Sequence, residues 1–225
     1  MIVILNERDL ITNFLVCTLM KTWLGKYILT KYHIQCPKLC LSWTKVKNFL
    51  SSVALCTLYY TLIHCHFSYG LLCWGNSTYI NRLFLLQKRA VRIINKKAYR
   101  AHTDPLFRCQ RILKISDLYK VQALLFTHDY WYNILPPSFQ NFYTDGHNVI
   151  TRRNAQKILY TERPRTNFSQ NLVYHNAASI WNRLDNNIKS IESRINFKNA
   201  ISRLFLDDYL GHVVCNNDHC PDCSH

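Results

Sequence analysis

Between Arg82 and Lys114 the chain carries ten Lys and Arg residues against a single acid, Asp104. A helix is expected from about Thr78 to Lys97, and it can be projected at roughly 100° per residue. Ile80, Leu83, Phe84, Leu86, Ala90, Val91 and Ile94 then share one side. Arg82, Arg89, Arg92 and Lys96 occupy the other, with Lys88 at the edge. Like charges three and four residues apart repel within a helix. An unpaired basic stripe therefore costs stability unless an anion relieves it, and the phosphate backbone is a common reliever. Arg82, Lys88, Arg89, Arg92 and Lys96 are thus candidate nucleic-acid contacts. The plainer reading of such a run is a solvated helix face.

The second candidate for chemistry is the C-terminal tail. Cys215, Cys220, Cys223 and His225 form C-x4-C-x2-C-x-H, with His212 and His219 nearby. Zinc takes four Cys or His ligands in a tetrahedron, so the count is right. The spacing is not that of a common finger or knuckle, and the single residue between Cys223 and His225 strains a shared tetrahedron. A frayed tail with free thiols is expected, with zinc as the alternative. Cys36 and Cys40 flank Pro37, and a lone pair at that spacing reads as structural.

Other chemistry is harder to assemble. The 13 acids are scattered, whereas a nuclease needs clustered Asp, Glu and His. There is no G-x-S-x-G and no P-loop. No catalytic residue is assigned.

The totals frame these candidates. At 225 residues the chain can bury a core, as one domain or two small ones. Half of it is apolar and aromatics are plentiful, so the composition is not that of a disordered chain. Five glycines and six prolines favour helices over a turn-rich β fold. A net charge of +15 favours an anionic partner. The ten cysteines lack a leader with a basic n-region, so free thiols in a reducing, intracellular setting are expected, in nucleus or cytoplasm. Cys17, Cys56, Cys65 and Cys73 read as buried.

Val53 to Trp74 holds no Lys, Arg, Asp or Glu and is long enough to span a bilayer. It also contains His64, His66, three tyrosines and Gly70. Leu55, Leu58, Leu62 and Ile63 form one helical stripe, which favours a buried core helix and no membrane partner.

The elements that position these residues follow from local signals. Residues 1–44 form an unassigned, poorly patterned segment. Ser51 and Ser52 suit the cap of a helix running through Ile63, and Gly70 and Gly75 bracket a bend. Thr103-Asp104-Pro105 reads as a helix start. Ser116-Asp117 opens a helix through about Tyr132, with Leu118, Val121, Leu124 and Leu125 on one face. Leu135-Pro136-Pro137 ends it. Residues 135–168 are loop, with a short hairpin expected between Ile158–Arg163 and the stretch near Asn167, around Pro164. Two helices follow, Ser169–Leu184 and Asn196–Leu210, with Gly211 as the stop, and 212–225 form the Cys/His tail. The fold class is mainly α, with at most one short β-hairpin.

From about Lys45 to Tyr209 the sequence resembles the C-terminal part of non-LTR retrotransposon polyproteins, in the jockey-like and CR1-like reverse transcriptases of animals. The resembling pieces fall in family order. L-Y-Y-T-L-I (58–63), S-Y-G (68–70) and W-G (74–75) come first. L-Q-K-R-A-V-R-I-I (86–94), T-D-P-L-F (103–107) and I-L-K-I-S-D-L-Y (112–119) follow. L-P-P-S-F (135–139), His147, Thr151-Arg152, W-N-R-L (181–184), I-K (188–189), F-K (197–198) and Tyr209 complete the series.

The resemblance implies a helical thumb-like bundle that grips template–primer behind a catalytic palm. Residues 45–134 would be its basic part and 169–211 its C-terminal helices. RNA, DNA or an RNA–DNA hybrid would be the partner, alongside the palm and fingers of the intact enzyme. Trp74 and Trp181 read as packing anchors. Polymerisation itself needs carboxylates on two Mg²⁺ ions, so magnesium belongs to the intact polymerase. Phe205-Leu206-Asp207-Asp208 looks like a palm motif, but it ends an amphipathic helix with no strand–turn–strand around it. It reads as an exposed helix end. Asp185 departs from the proline usual after W-N-x-L, which fits a diverged or truncated copy.

Overall fold

The computed structural model describes residues 43–45, 47–77, 80–139, 142–143, 158–161, 165 and 172–211. Among these the chain is mainly helical and has no strand. The expectations placed on residues 1–42, on His147, Thr151 and Arg152, and on the tail lie outside the described residues.

Helix α1, Ser52–Tyr59, begins at Ser51, whose Oγ accepts the Ala54 N–H at 3.2 Å. This is the N-cap bond that Ser supplies well. A π-helical turn, Tyr60–His64, continues it into α2, Cys65–Ser68. Leu55, Tyr59, Ile63 and Phe67 are the buried residues of this rod, at a strict spacing of four. In a 3.6-residue helix each such step drifts by roughly 40°. The wider π turn removes part of that drift and keeps the stripe on the core. The expected stripe is thereby corrected: Tyr59 and Phe67 belong to it, while Leu62 is exposed.

Gly70 adopts a left-handed φ of 59° and turns the chain into α3, Leu71–Trp74. Gly75 then lets α3 approach the next layer. A Cβ there would stand 2.5 Å from a ring carbon of Tyr119 and 2.6 Å from the Leu71 carbonyl oxygen.

Helix α4 spans Ile80–Ile94, α5 Asp104–Cys109 and α6 Ile115–Trp131. Helices α7, Val173–Asn182, α8, Asn186–Lys189, and α9, Arg194–Gly211, close the described chain. Helix α6 is the spine and contacts α3, α4, α7 and α9. It is buried on nearly every side, including Asp117, Thr127, His128 and Asp129, where the sequence suggested a single apolar face. An amphipathic projection misses a helix enclosed on both flanks.

Two apolar clusters meet along α6. The first joins α1–α5 to Ile115 and Tyr119, and receives Tyr209 from α9. The second joins Val121, Leu124 and Leu125 to Leu159, Ala178, Trp181, Phe197 and Ile201. Trp74 and Trp181 are both fully buried, one in each cluster.

Helix α5 starts at Asp104 after Thr103, as expected, although the Thr103 side chain makes no cap bond; α6 starts at Ile115, one residue before the expected Ser116. The segment expected as a hairpin has no strand in its described part. The Leu159 N–H and C=O instead pair with the Asn182 side chain, at 3.0 and 2.9 Å. The amide gives both buried backbone groups of Leu159 a partner, and Tyr160 next to it forms a single β-bridge.

Candidate nucleic-acid interface

The floor of the site is a buried glutamine. Gln87 lies at the core side of α4 with no exposed surface. Its Nε2 donates to the Tyr59 hydroxyl at 2.9 Å and to the Leu113 carbonyl at 2.8 Å. Its Oε1 accepts the Ile115 N–H at 2.9 Å. One side chain thus ties α1, α4 and the start of α6. Sequence periodicity missed it, because a lone polar residue in an apolar stripe reads as surface. Burial pushes the Tyr59 phenol well above its ordinary range.

A second anchor closes the far side. The Tyr209 hydroxyl accepts the Lys114 N–H at 2.9 Å and donates to Asp117 Oδ2 at 2.8 Å. Lys120 donates to the other Asp117 oxygen at 2.8 Å. Lys114 lies over the Tyr209 ring and pairs with Asp104 at 3.0 Å. Burial first, and then the Asp117 carboxylate, push the Tyr209 phenol up.

On this frame the five predicted residues take different positions. Arg82 is exposed on the outer side of α4. Lys88 is half-buried and places Nζ 4.5 Å from the Phe84 ring centroid, one turn back on the same helix. Arg89 is half-buried. Arg92 turns toward the protein: its Nε donates to the Ala101 carbonyl at 2.8 Å, and burial lowers its pKa from the ordinary value. Leu85, between Arg82 and Arg89, is 65% exposed, so the outer side is basic but not purely polar.

Lys96 is a correction. The helix ends at Ile94, and Lys96 stands beyond it at a left-handed φ of 54°. The Lys97 N–H reaches the Arg92 carbonyl and the Lys96 N–H the Ile93 carbonyl, both at 3.0 Å. This is the paired bonding of a Schellman turn, whose left-handed position usually takes glycine. Helix α5 ends the same way, with Arg111 at φ 52° and matching bonds from Arg111 and Ile112. The two turns are adjacent, because Gln110 Nε2 donates to Asn95 Oδ1 at 2.9 Å. Two cations therefore occupy strained backbone positions side by side. Positive charge also suits the negative end of a helix dipole.

Carboxylates match part of the basic run. Asp104 holds Lys114, and Asp207 lies 3.6 Å from Arg108. Among the described residues no carboxylate pairs with Lys88, Arg89, Lys96, Arg100 or Arg111. The outward charge thus concentrates on the outer side of α4 and on the turns after α4 and α5.

Asp207 and Asp208 both lie exposed near the end of α9, which is where the sequence placed them. The candidate zinc ligands Cys215, Cys220, Cys223 and His225 lie outside the described residues. Among the described residues no group of three or more His, Cys, Asp or Glu could hold a metal ion. Cys56, Cys65, Cys73 and Cys109 are free thiols. Cys65 is exposed, against expectation, and donates to the Thr61 carbonyl. Among the described residues no helix is long and apolar enough to cross a membrane.

Comparison with protein-family models, with curated proteins and with solved structures finds nothing that matches this chain.

Proposed function

We propose that this chain binds nucleic acid through phosphate contacts, as the thumb-like C-terminal part of a non-LTR retrotransposon reverse transcriptase. The observation that carries the reading is the imbalance from Arg82 to Lys114, ten cations to one acid. The outward cations left without carboxylates on α4 and its neighbouring turns support it. The ordered family-like motifs from Lys45 to Tyr209 support the retrotransposon part of the reading.

In this reading Arg82, Lys88, Arg89 and Lys96 neutralise backbone charge without reading sequence. Arg92 shapes the surface by holding Ala101. The chain would work inside the cell, in nucleus or cytoplasm. It would grip template–primer beside the palm of the intact enzyme, and no polymerisation step is assigned to its own residues.

The test is binding of the full chain to a labelled RNA–DNA hybrid across a salt series, beside the Arg82→Ala/Lys88→Ala/Arg89→Ala variant. Affinity should fall steeply with salt, and the variant's slope should flatten by roughly two to three units on a log–log plot, about one per lost phosphate contact. A folded chain that ignores the hybrid but captures an acidic protein surface would sink the reading.

A further inference from the structure

The connection from α4 to α5 is the least expected part of the basic surface. Residues 95–103 contain no helix or strand, yet they are held at both ends. The Schellman bonds fix Lys96 and Lys97, Arg92 Nε holds the Ala101 carbonyl, and Asn95 is bonded to both Val91 O and Gln110. Ala101 and Thr103 are buried and anchor the return into α5. Between these anchors Lys96, Lys97, Tyr99, Arg100 and His102 are exposed.

Tyr99 is the unusual member. Tyr59, Tyr119, Tyr143 and Tyr209 are buried and Tyr69 is 65% exposed, whereas Tyr99 at 77% is the most exposed tyrosine among the described residues and stands among cations. Its ring centroid lies 6.0 Å from Arg92 Cζ, at the outer limit of cation–π range. Arg92 therefore both holds the loop and stands beside the ring. An exposed aromatic costs apolar hydration, and here it sits among cations on a braced loop. That combination suits a ligand that is flat, aromatic and anionic at once.

We infer that Tyr99 is a stacking platform for an unpaired nucleotide of single-stranded RNA or DNA. Lys96 and Arg100 take the flanking phosphates. The inference rests on the nucleic-acid reading above and adds the strand state of the ligand. Base faces are available to a side chain in single strands and at frayed ends, but are covered inside a duplex. An acidic peptide would satisfy the cations and leave the ring without a partner. Backbone cations that track the strand, combined with an aromatic that stacks on any base, give binding with little sequence preference.

The test uses the full chain, with Tyr99→Ala, Tyr99→Phe and Tyr99→Trp variants. The probes are a labelled single-stranded oligonucleotide carrying 2-aminopurine, a blunt RNA–DNA hybrid, and heparin as a polyanion without bases. Stacking platforms lose about five- to 150-fold in affinity on alanine substitution. Tyr99→Ala should show that loss on the single strand, with the 2-aminopurine quenching removed. Tyr99→Phe and Tyr99→Trp should stay near the parent. Hybrid and heparin binding should be unchanged. Equal single-strand binding by parent and Tyr99→Ala would overturn the platform while the hybrid result keeps the broader reading. An equal loss on heparin would overturn it as well, because the ring would then be acting only through the cations. Binding of none of the probes by the parent would overturn both readings.

Discussion

The two clusters that share α6 differ in how much charge they take inside. The first, around α1 to α5, is pinned inside mainly by neutral groups: Gln87, the Tyr59 hydroxyl, and the Trp74 indole, which donates to the Tyr69 carbonyl at 2.9 Å. Among the described residues the one buried carboxylate at its edge is Asp117, which accepts the Tyr209 hydroxyl. Most of its cations stay outside, ten against one acid from Arg82 to Lys114, with Arg92 and Lys114 turned to the protein. The second cluster takes ionisable groups inside. His128 is fully buried between Phe197 and Tyr132, and its Nε2 donates to the Ile191 carbonyl at 2.9 Å. Asp129 is buried beside it and takes both bonds of the Arg194 Nε, at 3.0 and 2.9 Å. Lys189 is buried, and burial lowers its pKa even with Asp185 opposing. From Leu172 to Gly211 there are five cations and four acids. Charges in the second region are spent on holding helices together. In the first, Lys88, Arg89, Lys96, Arg100 and Arg111 have no carboxylate partner among the described residues.

That contrast can be broken most directly at Gln87. Gln87→Ala strands the Ile115 N–H, the Leu113 carbonyl and the Tyr59 hydroxyl, and opens a cavity beneath α4. The expected loss is about 3 kcal/mol, summing an unsatisfied buried network with a cavity. Urea unfolding reads it, and a loss under about 1 kcal/mol would mean that neutral pins do not hold the first region.

Alkaline titration sharpens the same point with a middling effect. Burial pushes the Tyr119 phenol up to about 12, and raises Tyr59 and Tyr209 in the same direction. A raised folded pKa means that the native state keeps its proton where the unfolded state has lost it. The stabilisation is therefore complete below about pH 10 and is lost as pH rises from 10 towards 12. The urea midpoint should fall across that window. Tyr119→Phe should remove part of the fall, and an unchanged pH dependence in that variant would contradict the assignment.

The smallest effect is expected at Lys96, and its sign is the informative part. Lys96→Gly relieves a left-handed backbone strain of about 1 kcal/mol. The protein should become slightly more stable while its affinity for nucleic acid drops by severalfold. Lower stability with unchanged binding would mean that Lys96 serves the helix end and not a ligand.

The sequence by itself determined the helical class, the packing of Trp74 and Trp181, and the excess of cations between Arg82 and Lys114. Composition and 3.6-residue periodicity carry that information locally. It also located α4 to within a few residues, since strong amphipathicity marks a helix that buries one face.

Tertiary structure decided the rest. Gln87 has the same local signal as a surface glutamine, and only the arrival of Tyr59, Leu113 and Ile115 from elsewhere makes it a pin. The centrality of α6 was hidden because neighbours on several sides erase the polar face that periodicity needs. Lys96 left the helix, and Arg92 turned inward to Ala101, because the chain must reverse between α4 and α5. The exposed setting of Tyr99 has the same origin. Long-range packing chooses which loop atoms are braced and which ring remains in water, and no window of adjacent residues contains that choice.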